Sequence, residues 1–276
     1  MEVNEELRTL MRSWRARLTC DGIPGLRSQR PNRRGDDVSQ ADMAWLTDVT
    51  EVWYATLESG KLATYSDEFL DRVAGALRLS HHERTVLYYL ALGREPRPRP
   101  QLPQPALQSV SPAVRQLLDA LPWPACVADS SFELLANNQA LEDWLPYFRW
   151  ERNVMAWVFK YPESRVQLID WETVWAPVML AQMRAAKARM PQNVALGQLV
   201  DECLAANEFA RNLWDTQPEV SIHPDGDVRQ LYLPYSEDKP TKVEVVALAP
   251  MRNADTRVVM FVPIDGFVPP PPAAGS

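Results

Sequence analysis

In the first hundred residues, hydrophobic positions recur every three or four residues, which is the spacing of amphipathic α-helices. Ser66 is placed to cap one such helix, and Ser80 with Glu83 forms a capping box for the next. Two more helices fall within residues 38–61. The first stripe of the chain consists of Leu7, Leu10 or Met11, Trp14 and Leu18, with arginines on the opposite face. The pattern therefore predicts an N-terminal segment of five helices.

Residues 38–61 break the helical rhythm once, near residues 47–50. We predict one helix over about residues 40–46 and a second over about 51–59, joined by a sharp turn. Ala44 is small enough to let the two helix axes approach. The space between them is filled by Val49, Tyr54 and Leu57. This is the helix-turn-helix arrangement, although a similar apolar hairpin is also common in ordinary core packing.

Proline marks the boundary of the helical segment. Residues 94–105, REPRPRPQLPQP, contain five prolines in twelve positions, a composition that disfavours helix and sheet and favours an extended spacer. A second proline run, FVPPPPAAGS, ends the sequence and is predicted to be disordered. The predicted organisation is an all-α domain at 1–94, a linker at 95–110, a second domain at 111–266 and a tail at 267–276.

The second predicted domain mixes strands and helices. The runs VEVVALAP and TRVVMFVPI are rich in β-branched residues and lack helical rhythm. We predict a strand pair at about 124–137, several helices within 138–214, and three strands near 228–235, 241–249 and 256–263. This is the element order of a PAS-like α+β domain with an antiparallel sheet. A sheet with helices over one face leaves a cavity that a small molecule can occupy.

Charge is segregated along the chain, whose formal net charge is −7. Between Arg8 and Arg34, eight arginines stand against one acid, Asp21, which leaves a local net charge of +7. A basic segment beside a helix-turn-helix is typical of a nucleic-acid-binding surface, and a solvated helix face is the alternative interpretation.

The sequence offers little for catalysis, metal binding or export. The three cysteines are far apart and form no CxxC pair, which argues against a disulfide framework or a zinc site. No Gly-rich phosphate loop, nucleophile elbow or metal-spaced cluster is present. The first residues lack a signal-peptide pattern, and no run is long enough to span a membrane. We therefore expect a cytoplasmic protein that is not an enzyme, does not contact a membrane and holds no metal or permanent cofactor.

Residues 39–60 resemble the XRE-type, phage-repressor family of DNA-binding domains. The family pattern is Thr/Ser-Gln, a small residue, a turn, Val-Ser/Thr and an apolar-Glu-x-Gly ending. It is matched by Ser39-Gln40, Ala44, Val49-Thr50 and Leu57-Glu58-Ser59-Gly60. The family usually has glycine at the turn, where φ is positive. This chain has Asp48, and aspartate is among the least penalised substitutes in that conformation.

The resemblance implies double-stranded DNA as a partner. In the family, the residue that matches Gln40 and groups near Ser59 contact phosphate, and the exposed start of the second helix reads bases. Glu51 is suited to accept a hydrogen bond from a cytosine amino group, and Val52 to pack on a thymine methyl group. The predicted DNA-binding set is Arg33, Arg34, Gln40, Thr50, Glu51, Val52, Thr56, Ser59 and Lys61. Because one helix reads few base pairs, we expect a homodimer on two half-sites about one helical turn apart.

Nearly the whole chain resembles the MmyB-like transcription regulators. The helix TEVWYATLESGK looks like their Trp-Tyr version, and the second domain carries LLDALPWPACVADSSFELLANNQALEDWL, then DWE at 170–172 and NEFARNLW at 207–214. After Val220 the match weakens, because the family's basic residue and following His-Pro have counterparts in Arg229 and Pro234 alone, and His223 is out of step. The resemblance implies a PAS-like fold that holds a fatty acid or similar apolar ligand.

Five of the ten tryptophans lie between residues 144 and 175. Each of them taken singly is typical of core packing, whereas the group is a candidate lining for an apolar pocket. Arg165 or Arg229 is suited to meet a carboxylate head group, or else to form a structural ion pair. The predicted ligand-binding set is Trp150, Asn153, Trp157, Arg165, Trp171, Trp214 and Arg229. The sequence favours a ligand-responsive, DNA-binding transcription regulator. The alternative is a protein-protein interaction module whose degenerate helix-turn-helix no longer binds DNA.

Overall fold

A computed structural model describes residues 4–29, 35–96, 110–217, 226–236, 239–249 and 256–266. Arg33 and Arg34, residues 97–109 of the predicted linker and the predicted tail lie outside the described residues. The chain divides into two compact units, of which the first contains the N-terminal helices and the second contains a β-sheet.

The first unit is helical, as predicted. Its helices are α1 (Glu5–Ala16), α2 (Leu26–Gln29), α3 (Gln40–Leu46), α4 (Glu51–Glu58), α5 (Asp67–Ala76) and α6 (His81–Leu92). The expected caps are present, because the Ser66 hydroxyl accepts from the Phe69 amide and Ser80 and Glu83 form a reciprocal capping box. The helix that the periodicity did not predict is α2, which is a single turn.

The turn between α3 and α4 takes the predicted conformation. Asp48 has φ of +54°, in the left-handed region where glycine or a short polar residue is favoured. The Val49 amide donates to the Ala44 carbonyl at 3.0 Å, which closes the turn. The Thr50 hydroxyl then accepts from the Trp53 amide at 3.2 Å and begins α4.

Gly60 ends α4 for two reasons. Its φ is +74°, and a Cβ at this position would lie 2.2 Å from the carbonyl oxygen of Asn4. The Asn4 amide also donates to the Gly60 carbonyl at 2.7 Å. The close approach joins the start of α1 to the end of α4 and excludes any side chain there.

The second unit contains the predicted antiparallel sheet. Its strands are β1 (Ala125–Asp129), β2 (Leu134–Asn137), β3 (Asp227–Tyr232), β4 (Pro240–Leu248) and β5 (Thr256–Pro263). They lie in the order β2-β1-β5-β4-β3, and each neighbouring pair is antiparallel. The strand predicted to reach residue 235 ends at Tyr232, shortly before Pro234, which has no amide hydrogen to donate to a neighbouring strand.

Helices occupy most of residues 139–216. From residue 110 onward, the helices are α7 (Pro112–Asp119), which precedes the first strand, and α8 (Gln139–Trp144), α9 (Val154–Lys160), α10 (Pro162–Gln167), α11 (Ala176–Arg189), α12 (Val194–Ala206) and α13 (Glu208–Thr216). A 3-10 turn covers Pro146–Arg149, and a π-helical turn covers Trp171–Trp175. No helix in the described ranges is long and apolar enough to cross a membrane.

The two faces of the sheet differ in what covers them. On one face, Leu118 of α7 packs with Val127, Leu135 and Ala136 in a buried apolar cluster. On the opposite face, side chains of β1, β3, β4 and β5 and of the helices α8, α9 and α11 surround a cavity. The alternation of neighbouring residues between the two faces follows from the two-residue period of a strand.

Candidate functional site

The start of α4 presents an exposed surface. Thr50, Glu51 and Val52 are exposed, and Val52 is 77% accessible. Trp53 is 37% accessible, and its ring lies 5.4 Å from that of Tyr65. Val52 is therefore sterically available for contact with another molecule, although a single exposed aliphatic side chain is common on protein surfaces.

Three more of the predicted DNA-binding residues, Thr56, Ser59 and Lys61, lie along α4 or just after it. Thr56 is half-buried, and its hydroxyl donates to the Val52 carbonyl at 2.7 Å. Ser59 is half-buried, and its hydroxyl donates to the Thr56 carbonyl at 2.8 Å. Lys61 is exposed. The structure therefore brings Thr50, Glu51, Val52 and Lys61 to the surface and ties Thr56 and Ser59 to the backbone.

Glu58 organises the interior beneath α4. Its side chain is 1% exposed and accepts two hydrogen bonds from Arg15, one from Nε at 2.7 Å and one from a terminal nitrogen at 2.9 Å. Gln40 donates its amide to the same carboxylate at 2.8 Å. Arg15 also donates to the Val38 carbonyl at 2.7 Å, so one buried carboxylate joins α1, α3 and α4.

The pKa of Glu58 reflects this environment. Burial alone would raise the pKa, but hydrogen bonds from Arg15 and Gln40 outweigh burial and lower it. The hydrogen bond to Glu58 raises the pKa of Arg15 in turn. Both groups are therefore held in their charged forms. Sequence reasoning counted Arg15 with the basic face and missed this pair, whose members are 43 residues apart.

The cavity of the second unit has a volume of about 90 Å³. Its walls are mainly apolar. The sheet contributes Cys126, Ala128, Leu134, Leu231, Val245, Val259 and Phe261. The helices and connections contribute Phe132, Leu141, Leu145, Phe148, Val154, Met155, Trp157, Val158, Leu168, Trp175 and Met179. An enclosed space with such walls suits the hydrocarbon part of a small molecule.

Four polar side chains complete the lining, and they are Asp129, Gln182, Arg229 and Arg257. Arg229 is 4% exposed, donates to Asp227 at 2.5 Å and lies 4.7 Å from the centre of the Trp175 ring. Arg257 lies 5.7 Å from the centre of the Phe132 ring. A few polar groups in an otherwise apolar cavity are the usual means of fixing a ligand's orientation.

Burial shifts the pKa values of two of these groups. It lowers the pKa of Arg257, and the nearby Arg189 acts in the same direction, while Asp129 opposes the change. It raises the pKa of Asp129, against the hydrogen bonds that this carboxylate accepts from the amides of Ser131 and Glu133 at 2.8 and 2.9 Å. The cavity thus offers one buried guanidinium group, that of Arg229, one half-buried guanidinium group, that of Arg257, and one carboxylate.

Comparison with known proteins identifies this domain. The family model of the MmyB-like transcription regulator ligand binding domain matches residues 110–265. The chain belongs to the MmyB-like transcription regulators. No curated protein matches the chain closely enough to count as a relative. The family match covers the whole sheet, the cavity and the helices around it, so this MmyB-like chain is a transcription regulator with a ligand-binding domain.

Two of the seven predicted ligand-binding residues of this MmyB-like domain line the cavity, Trp157 and Arg229. Asn153 lies near the start of α9, where its side chain accepts from the Met155 amide and donates to the Ser131 carbonyl. Trp150 is half-buried and follows the 3-10 turn. Neither contributes to the lining.

The remaining three predicted residues also lie away from the cavity lining. Trp171 is 4% exposed and packs between Phe159 and Phe209, with ring centres 5.8 and 5.6 Å away. Arg165 is exposed, 5.7 Å from the centre of the Trp171 ring. Trp214 lies 4.1 Å beneath the guanidinium of Arg184. These contacts are those of core and surface packing.

Apart from Arg229 on β3, sequence reasoning missed the contribution of the strands to the cavity. Cys126 and Ala128 alternate along β1, and Arg257, Val259 and Phe261 alternate along β5. The signal was available, because residues two apart on a strand share a face. Gln182 of α11, which is 6% exposed, was also missed.

Proposed function

We propose that this MmyB-like regulator binds DNA through its helix-turn-helix and binds an apolar carboxylate, such as a fatty acid, in its second domain. The observation that carries the proposal is the apolar cavity lined by Arg229 and Arg257 inside a ligand-binding domain. Apolar walls favour a hydrocarbon chain, and guanidinium groups in the cavity lining favour a carboxylate. The proposal includes no metal and no permanent cofactor.

The size of the cavity sets the length of the ligand. A volume of about 90 Å³ holds roughly six to nine water-sized groups. A methylene group needs at least as much room as a water molecule, so a chain of at most about six to nine carbon atoms fits this space. Longer chains require the walls to move apart, which costs packing energy.

In a series of saturated fatty acids from butanoate to hexadecanoate, we expect octanoate to raise the melting temperature of the full chain most. Each additional buried methylene contributes about 0.8 kcal/mol of transfer free energy. Affinity should therefore rise about fourfold per methylene until the cavity is full. Thermal melts across ligand concentration test this, because a ligand that binds the native state alone raises the melting temperature. A response that is flat across all chain lengths would contradict the proposal.

The proposal for DNA rests on the surface at the start of α4. Val52 is accessible there, Thr50 and Glu51 flank it, and the Glu58 network holds the helix from below. We infer that this end of α4 enters the major groove, with Lys61 and the basic N-terminal segment on phosphates. We also propose a homodimer, because two copies read enough base pairs to distinguish a genomic site.

Val52→Ala should reduce the discrimination between base pairs at one position of each half-site. The difference in binding free energy between the preferred base pair and the others should fall by about 1 to 3 kcal/mol. Lys61→Ala, as the matched variant, should weaken binding to all duplexes alike and reduce the slope of log K against log salt by about one. Binding selections on random duplexes at several salt concentrations measure both effects, and the recovered sites should be imperfect palindromes.

The same experiment separates the second candidate function. If no duplex binds in a salt-dependent manner, the exposed Val52 and Trp53 belong instead to a protein-protein contact surface. If both variants changed base preference equally, the assignment of Lys61 to phosphate would be wrong.

A further inference from the structure

Arg229 is a buried cation with little of its bonding capacity in use. Arginine has five N–H donors, and within the described part of the chain the guanidinium makes one hydrogen bond, to Asp227. The guanidinium carbon of Arg229 lies over the ring of Trp175, a residue that also lines the cavity. The remaining donors belong to a side chain that is 3% exposed and lines the ligand space.

Asp227 differs from Arg229 in its access to solvent. Both belong to β3, two residues apart and therefore on the same face, and Asp227 is the first residue of that strand. The Asp227 side chain is 42% exposed, whereas that of Arg229 is 3% exposed. Asp227 can therefore turn toward water and stay hydrated, whereas the buried guanidinium of Arg229 then needs another anion, such as a ligand carboxylate, as its partner.

We propose that Asp227 is an internal competitor for the carboxylate of the ligand. This inference rests on the proposed function, since it concerns the ligand's head group at Arg229. A carboxylate that binds Arg229 either displaces Asp227 or shares the guanidinium with it. In the first case the ligand must break an existing charge-assisted hydrogen bond, and in the second it meets a like charge. A neutral ligand meets neither cost, so Asp227 lowers the affinity for acids selectively.

Octanoate and octanol are the probes, because they share a chain and differ in head-group charge. Asp227→Asn in the full chain should tighten octanoate binding by about tenfold, and octanol binding by less than about twofold. Asp119→Asn is the control, since Asp119 is exposed on α7, which packs against the other face of the sheet, and the change in net charge is identical. It should leave both affinities unchanged. Isothermal titration measures all six affinities.

Each outcome supports or overturns the inference. An equal gain for octanol and octanoate would show that Asp227 acts through packing, and no gain for octanoate in a chain that binds it would show that Asp227 does not compete. In both cases the proposed function stands and the inference fails. If no variant binds either probe, the proposed function itself fails. Asp227→Asn combined with Arg229→Gln should bind octanoate no better than Arg229→Gln alone, because the competition requires the guanidinium.

Discussion

Replacing Glu58 with alanine is expected to lower the stability of the N-terminal helical unit by about 3 kcal/mol. The change removes the shared acceptor of Arg15 and Gln40 and leaves the guanidinium without its buried partner. Breaking a buried ion pair usually costs about 3 to 5 kcal/mol. We expect the lower end, because the Arg15 side chain is 24% exposed and can reach water. Hydrogen exchange of the α3 and α4 amides in the full chain measures the loss.

Glu51→Ala is the matched control on the same helix. Glu51 is exposed and lies at the helix start, so its loss should cost less than about 1 kcal/mol. If the two substitutions cost the same, Glu58 is not the anchor of α4.

The pH dependence of the same residue follows from its lowered pKa. The stability contributed by Glu58 is fully present above its unfolded pKa of 4.5, and it is lost as the pH falls through the lower, folded value. The stability difference between the wild type and Glu58→Gln should therefore shrink as the pH falls below 4.5. If the stability difference between the wild type and Glu58→Gln stayed constant below pH 4.5, the ion pair between Glu58 and Arg15 would not contribute to stability.

Local chemistry explains why helices α3 and α4 and the turn between them could be predicted from the sequence. Ser39 and Thr50 accept hydrogen bonds from amides three residues ahead of them, and Asp48 adopts the turn conformation within its own few residues. Every one of these interactions lies within a short window of sequence. The Arg15–Glu58 pair does not, because it spans 43 residues and both partners also fit a surface interpretation.

The cavity was harder to predict because its lining is assembled from distant segments. Alternate residues of β1, β3 and β5 meet there only after the sheet has formed. The tryptophans between residues 144 and 175 are close in sequence but face different surroundings. Trp171 and Trp175 are the two ends of one π-helical turn, yet Trp175 lines the cavity with Trp157, whereas Trp171 packs against Phe159 and Phe209. Aromatic clustering in sequence indicated the right region but not the right side chains.

Ala128→Leu should strongly weaken ligand binding with little change in the free energy of unfolding. Ala128 lies on β1, is 7% exposed and lines the cavity, so three added carbon atoms occupy space that a ligand would need. We expect octanoate affinity to fall by about sixtyfold or more, because roughly three or more methylene groups lose their place at about 0.8 kcal/mol each. The apo domain should change by less than about 1 kcal/mol, since filling an existing space offsets the strain of a larger side chain.

Trp171→Ala should lower stability and leave ligand binding largely unchanged. Trp171 is buried outside the cavity lining, and truncating a buried tryptophan costs about 3 to 5 kcal/mol. If Trp171→Ala still folds, it should keep the wild-type preference for ligand chain length, because none of the residues that line the cavity is removed. Thermal melts of both variants, with and without octanoate, give stability and binding in one experiment. A wild-type octanoate shift in Ala128→Leu would place the ligand outside this cavity. An altered chain-length preference in Trp171→Ala would make Trp171 part of the binding site rather than of the core.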